Sequence, residues 1–113
     1  MIKVTIFKDA DDMITGFKVL GHAGFGNKGN DIVCAAVSAL VINTINSIER
    51  FTSDIINITE DEEKGLIEFH LADPISSDAN LLLKSLAFGL QGIEQEYKGK
   101  YISVSQKVIR SSH

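Results

Sequence analysis

The chain is poor in the residues that mark several common classes of protein. It has no tryptophan and only 7% aromatic residues, which disfavours an aromatic surface for stacking single-stranded nucleic acid. Its formal net charge of −4 disfavours a basic nucleic-acid-binding face, so no direct nucleic-acid partner is expected. The only cysteine cannot form an internal disulfide bond, which favours a reducing compartment. One proline and 44% hydrophobic residues indicate a folded chain.

Neither a secretory signal nor a membrane span is predicted. Residues 2–7 alternate between apolar and polar types, whereas a signal peptide has a charged start and an apolar run. The longest apolar stretch, 32–42, is interrupted by Ser38 and covers about half of a membrane span. We therefore expect a cytoplasmic protein with one domain over residues 1–113 and no membrane partner.

Hydrophobic periodicity predicts five strands and two helices in the order ββαββαβ. Alternation of apolar and polar residues predicts strands over 2–7, 13–20, 55–59, 66–71 and 101–109. The first helix is predicted from an N-cap at Asp31 to about Arg50. The second is predicted to end near Tyr97 and to have one of three N-caps, Ser76, Ser77 or Asp78. This order indicates an α+β fold, a single domain with a mixed five-stranded sheet and two helices.

The segment between the second strand and the first helix carries the strongest indication of function. Four of the nine glycines lie within residues 21–30, namely Gly21, Gly24, Gly26 and Gly29. Such a density of glycine predicts a flexible loop. This loop contains His22 and leads to Cys34, which would lie in the first helical turn if Asp31 is the N-cap. Unpaired backbone N–H groups and the helix dipole favour an anion such as a thiolate at that point.

A helix terminus alone is too weak to ionise a thiol. It contributes about 0.3–1 kcal/mol, whereas making thiolate the majority form of an ordinary cysteine at neutral pH takes about 2.7 kcal/mol. A cationic imidazole would supply the difference, and His22 is the candidate. Asp31 would oppose the thiolate by its charge but could orient the imidazole. Ser38, four residues after Cys34, shares its helical face and could hydrogen-bond near the thiol.

Each of these residues also has an ordinary structural interpretation. A lone cysteine in an alanine-rich helix is commonly a small core residue, and a histidine beside glycines commonly lies at the surface. Asp31 is by default a helix cap. His70, in a predicted strand, and His113, at the end of the chain, are interpreted as structural or incidental.

Two other kinds of site are weakly indicated. Residues 24–29 match the dinucleotide pattern G-x-G-x-x-G, but the preceding strand belongs to a hairpin, and Asp31 would place negative charge beside a pyrophosphate. A zinc site made by His22, Cys34 and Asp31 lacks the paired-ligand spacing of zinc proteins. We therefore expect no cofactor and no metal.

The motif from Gly21 to Ser38 resembles the signature of the ribosomal-processing cysteine protease family, Prp. It consists of Gly-His-Ala-Gly at 21–24, a short glycine-containing spacer, and Asp-Ile-Val-Cys-Ala-Ala-Val-Ser at 31–38. Residues 90–97 are similar to the second helix of that family, and the similarity in length and element order extends over essentially the whole chain. Several rare residue types in fixed order make this motif far more specific than the glycine pattern.

The resemblance implies a cysteine endopeptidase with Cys34 as the nucleophile and His22 as the catalytic histidine. It also implies a homodimer, with a flexible loop over the site. The implied substrate is the N-terminal extension of a large-subunit ribosomal protein, the twenty-seventh, which is cut after a phenylalanine. A non-catalytic alternative stays open, in which a dimeric ribosome-associated module binds a basic peptide with its glycine loop.

Overall fold

The chain forms a five-stranded sheet with two helices packed on one face. The computed structural model describes residues 1–21 and 28–109. Its elements are β1 (Ile2–Lys8), β2 (Ile14–Leu20), α1 (Lys28–Phe51), β3 (Ile56–Asp61), β4 (Leu66–Leu71), α2 (Ser77–Glu96) and β5 (Ile102–Val108). The sheet is mixed, and the order ββαββαβ confirms the predicted α+β fold.

The strand order β3-β4-β2-β1-β5 places the hairpin β3–β4 at one edge of the sheet. All neighbouring strands are antiparallel except β1 and β5, which are parallel. The register aligns Glu60, Ile67, Val19 and Val4 in one row across four strands. This row passes from an exposed residue at the edge to a buried one at the centre.

One hydrophobic core lies between the sheet and the helices. Phe17 and Phe69 are completely buried, and their rings stack with centroids 5.0 Å apart. Helix α1 contributes buried residues at a four-residue spacing, namely Val33, Val37 and Val41. By length and composition alone, Asp31–Phe51 could cross a membrane. In the fold this stretch packs its valine stripe into the core, and 28% of it is buried.

Helix α1 begins four residues earlier than predicted, at Lys28 and not at Ile32, which follows the expected N-cap. The expectation that Asp31 is its N-cap is wrong, because the helix starts at Lys28 and Asp31 lies in the first turn. An acidic residue is favourable at either position, so the sequence signal was ambiguous. Gly29, predicted to belong to the loop, is helical, and Cys34 is the seventh residue of α1. The helix dipole acts most strongly in the first turn of a helix. The thiol of Cys34 lies beyond that turn.

Two glycines of the motif are required by close contacts. Gly21 has a φ of 124°, and a Cβ there would lie 2.6 Å from the carbonyl oxygen of Met1. Its N–H also donates to the carbonyl oxygen of Gly65 at 3.1 Å. A Cβ at Gly29 would lie 2.6 Å from Oη of Tyr101. These contacts fix the end of β2 and the beginning of α1.

The N-terminus of helix α2 is capped by Ser76, and hydrogen bonds connect this cap to Asp54, just before β3. Ser76, one of the three predicted caps, accepts a hydrogen bond from the Ala79 N–H at 3.0 Å. Its own N–H and Oγ donate to the Asp54 carboxylate at 2.9 and 2.5 Å. Burial acts against the charge on Asp54, but hydrogen bonds, chiefly from Ser76, outweigh it and hold the pKa of Asp54 below 3.8.

Replacing Gly29 with alanine should destabilise the protein relative to the same change at Gly92. Alanine is favoured over glycine by about 1 kcal/mol inside a helix, but at Gly29 its methyl group would collide with the ring of Tyr101. At Gly92, in α2, the added methyl group would meet no atom within 4 Å, so Gly92→Ala should be stabilising. Chemical denaturation compares the two variants. If Gly29→Ala and Gly92→Ala stabilise the protein equally, a methyl group at position 29 does not collide with Tyr101.

Asp54→Asn should lower the free energy of unfolding at neutral pH. Because the pKa of Asp54 is lower in the folded state than the ordinary 3.8, its contribution is present above that pH and disappears as the pH falls through the folded-state pKa. Urea denaturation of the two proteins at several pH values measures the difference between them. The control is Asp73→Asn, at an exposed neighbour. If the two free energies of unfolding differ by the same amount in acid as at neutral pH, the charge of the Asp54 carboxylate is not the source of the stabilisation.

Candidate active site

Cys34 borders a cavity between α1 and the β3–β4 edge of the sheet. The cavity has a volume of about 320 Å³, and Ser38 and Gly21 also line it. Cys34 is partly exposed, as a nucleophile must be. Ser38 therefore shares a surface with Cys34, as their four-residue spacing predicts.

The pattern of α1 explains why this cysteine is neither buried nor fully exposed. Cys34 and Ser38 directly follow Val33 and Val37, which are 0% and 3% exposed. A step of one residue rotates a side chain by about 100° around the helix axis. Cys34 and Ser38 therefore lie beside the buried stripe, on the side of α1 that faces β3 and β4.

The two ends of the cavity differ in polarity. Its inner part is apolar and is formed by Ile2, Val19, Val37, Leu66 and Ile67. Its outer part is acidic and is formed by Glu60, Asp61 and Glu62. Among the described residues, neither Glu60 nor Glu62 forms an ion pair, so this end attracts positive charge and repels negative charge.

The acidic side of the cavity was not found from the sequence. The predicted third strand, 55–59, stops short of these residues, whereas β3 extends to Asp61 and the turn follows it. Nothing in the local pattern shows that this strand end lies beside α1, because the sequence separation from Cys34 is large. Only the pairing of β4 with β2 and of β3 with β4, between strands distant in sequence from α1, brings the carboxylates to the cavity.

The histidine of the motif lies outside the described residues, as do Gly24 and Gly26. The pairing of His22 with Cys34 therefore stays a prediction. Asp31 is exposed in the first turn of α1 and is not among the residues that line the cavity.

His70 lies away from the cavity. Its neighbours in β4, Phe69 and Leu71, point into the core, so its ring projects from the opposite face of the sheet. There Nε2 lies 2.7 Å from Oε2 of Glu68, and the ring stacks on Phe7 at 5.1 Å between centroids. These contacts agree with the structural role expected from the sequence.

A larger cavity does not compete as a catalytic site. It measures about 540 Å³ and lies where the C-terminal end of α1 meets the N-terminus of α2. Its lining includes Ser76, which caps α2, and Asp54, which accepts hydrogen bonds from Ser76. The lining contains no cysteine or histidine among the described residues. No group of three His, Cys, Asp or Glu side chains suited to a metal ion occurs within residues 1–21 and 28–109.

Comparison with known proteins agrees with this geometry. The model of the family Cysteine protease Prp matches residues 1–103. The ribosomal processing cysteine protease Prp of Staphylococcus aureus is 35% identical over 97 residues, which cover 86% of this chain and 92% of that relative.

Two solved structures of the Staphylococcus aureus protease share the fold. One contains a covalently linked product peptide and has a TM-score of 0.85 at 34% identity, covering 95% of this chain and 100% of that chain. The other contains a substrate peptide and has a TM-score of 0.87 at 33% identity, with the same coverage. The family match over nearly the whole chain, the shared fold and a cysteine open to a cavity lead to one conclusion: this chain belongs to the cysteine protease Prp family and is a cysteine protease.

Proposed function

We propose that this protease removes the N-terminal extension of a large-subunit ribosomal protein, the twenty-seventh, by cutting after a phenylalanine. The observation that carries the proposal is the position of Cys34, the only cysteine, which is partly exposed on a cavity of about 320 Å³. A peptide-bound structure of a relative supports a peptide as the substrate. The enzyme acts in the cytoplasm, where a lone thiol stays reduced.

Cys34 is the nucleophile of the proposed reaction and His22 is its base. The thiol proton passes to the imidazole as Sγ attacks the carbonyl carbon of the phenylalanine. The C–N bond then breaks, and the imidazolium gives its proton to the departing amine. Water, deprotonated by His22, attacks the resulting thioester, which releases the carboxylic acid and restores the thiol.

The chain path supports His22 as the partner of this thiol. Gly21, to which His22 is bonded, lines the same cavity as Cys34, and its backbone is held by Gly65. Since Cys34 lies beyond the first turn of α1, the helix dipole contributes less than the sequence suggested. More of the activation therefore falls to the imidazole.

Asp31 and Ser38 have supporting roles in this proposal. Asp31 lies three residues before Cys34, nearly one helical turn away, and would orient the imidazolium by its charge. Ser38 lines the cavity beside the thiol and offers a hydroxyl group to the bound peptide or to Sγ.

Cys34→Ala should abolish cleavage and leave the protein folded, because the substitution removes one sulfur from a partly exposed position. Mass spectrometry of a peptide that copies the extension measures cleavage, and chemical denaturation measures folding. Ser47→Ala, on the same helix but outside the cavity, is the control and should cut normally. Undiminished cleavage by the purified Cys34→Ala variant would refute the assignment of Cys34 as the nucleophile.

The reactivity of the Cys34 thiol distinguishes the protease from the non-catalytic peptide-binding module. A peptide-binding module would hold the peptide intact, and Cys34 would react with iodoacetamide no faster than a free thiol. The protease should be alkylated faster than that at neutral pH, and His22→Ala should slow the reaction.

We also propose that the protein is a homodimer. Leu81 and Phe88 are seven residues apart on α2 and therefore share a face, and they are 65% and 80% exposed. Large apolar side chains exposed together on one face are typical of an interaction surface. This pair supports an interface that includes the outer face of α2.

Phe88→Ser should shift the protein from dimer to monomer, because it removes the most exposed large apolar side chain of the described residues from the proposed interface. Analytical ultracentrifugation over a range of concentrations measures the assembly. Lys84→Ser, at an exposed position between Leu81 and Phe88, is the control and should have a smaller effect. If Phe88→Ser dimerises as strongly as the parent protein, Phe88 does not belong to the interface.

A further inference from the structure

The larger cavity lies at the end of α1 that is remote from Cys34. It measures about 540 Å³ and separates the C-terminal end of α1 from the N-terminus of α2, and it is called the α1–α2 cavity below. Phe51 lines it and follows Cys34 by 17 residues on α1, so the two positions are about 25 Å apart along the helix axis. The α1–α2 cavity and the Cys34 cavity share no lining residue and are therefore separate surfaces.

Hydrogen bonds hold the walls of the α1–α2 cavity together. The Ala72 N–H donates to the carbonyl oxygen of Ile55 at 3.0 Å, and Ser76 donates to the Asp54 carboxylate. Both contacts join the segment before β3 to the segment between β4 and α2. A site with walls already in place loses less conformational entropy when a ligand binds.

Large apolar side chains in the lining of this cavity are open to solvent. Phe51 is 72% exposed and Ile55 is 66% exposed, and Pro74 and Ile75 line the cavity with them. Apolar surface of this kind favours a partner that removes it from water.

The charge of the α1–α2 cavity indicates which kind of partner fits. Its lining contains the carboxylates of Asp54, Asp73 and Asp78 and, among the described residues, no lysine, arginine or histidine. Asp73 and Asp78 are exposed, and neither forms an ion pair with a described residue. The surface therefore complements a basic segment that also carries a large apolar side chain, and it repels the phosphates of a nucleic acid.

We infer that the α1–α2 cavity binds a basic, partly apolar segment of the protein substrate, far from the cut. This inference rests on the proposed function, in which the substrate is a ribosomal protein, a class that binds RNA through basic residues. An extended chain rises about 3.3 Å per residue, so at least about eight residues separate the cut from a segment that reaches this cavity. The second contact raises the affinity for the whole substrate protein and touches no reacting atom.

Substrates of two lengths test this inference. One is the full-length precursor, and the other is a peptide that ends fewer than about eight residues from the cut on either side and so cannot reach the α1–α2 cavity. Asp73→Lys should raise KM for the precursor about fivefold, because it replaces an attraction by a repulsion. Phe51→Ser should also raise it, by removing apolar contact. Neither variant should change kcat, or KM for the peptide.

Two variants outside the cavity are matched controls. Glu96→Lys makes the same change of charge at an exposed residue at the other end of α2. Ile42→Ser removes an apolar side chain of α1 that is 53% exposed and does not line the cavity. Both should cut the two substrates as the parent protein does. Added salt should reduce the effect of Asp73→Lys on the precursor and leave that of Phe51→Ser.

Binding of the precursor in the Cys34→Ala background, measured by isothermal titration calorimetry, separates this inference from the proposed function. If the parent protein does not cut the precursor but Asp73→Lys weakens its binding, the proposed cleavage fails and the binding site stands. If the parent cuts the precursor and neither Asp73→Lys nor Phe51→Ser changes KM or binding, the binding site fails and the protease stands. Equal losses with the peptide, or in the controls, would also overturn the binding site, as would a precursor that does not bind at all.

Discussion

The packing of α1 on the sheet is the constraint on which the site depends. The buried stripe of Val33, Val37 and Val41 fixes the rotation of this helix about its axis, because turning it would expose apolar surface to water. That rotation decides where the flanking residues point. Cys34 and Ser38 are placed at the margin of the core, open to the cavity, by the same interaction that stabilises the fold.

The mixed polarity of the cavity follows from its position at the edge of the sheet. Along one register row, the environment changes from exposed Glu60, through half-buried Ile67, to Val19, which is 8% exposed. An edge strand can carry a charge that a central strand cannot, because water reaches it from one side. A surface suited to an apolar side chain therefore adjoins one that attracts positive charge.

Local contacts position the two elements that border the motif. Gly21 closes β2 against the backbone of Met1 and Gly65, while Gly29 lets the start of α1 approach Tyr101. A side chain at Gly21 would collide with the backbone of Met1, and one at Gly29 would collide with the ring of Tyr101. The glycines of the motif thus have a structural cause at these two positions.

The sequence by itself determined the order of elements, the fold class, the family resemblance and the shared face of Cys34 and Ser38, because periodicity and motif spacing are local properties. It misplaced the start of α1, since an acidic residue suits either the N-cap or the first turn, and Asp31 occupies the first turn. Only the tertiary structure revealed that Glu60 and Ile67 line the same cavity as Cys34. They reach the cavity because β4 pairs with β2 and β3 pairs with β4, and no local pattern encodes this long-range pairing.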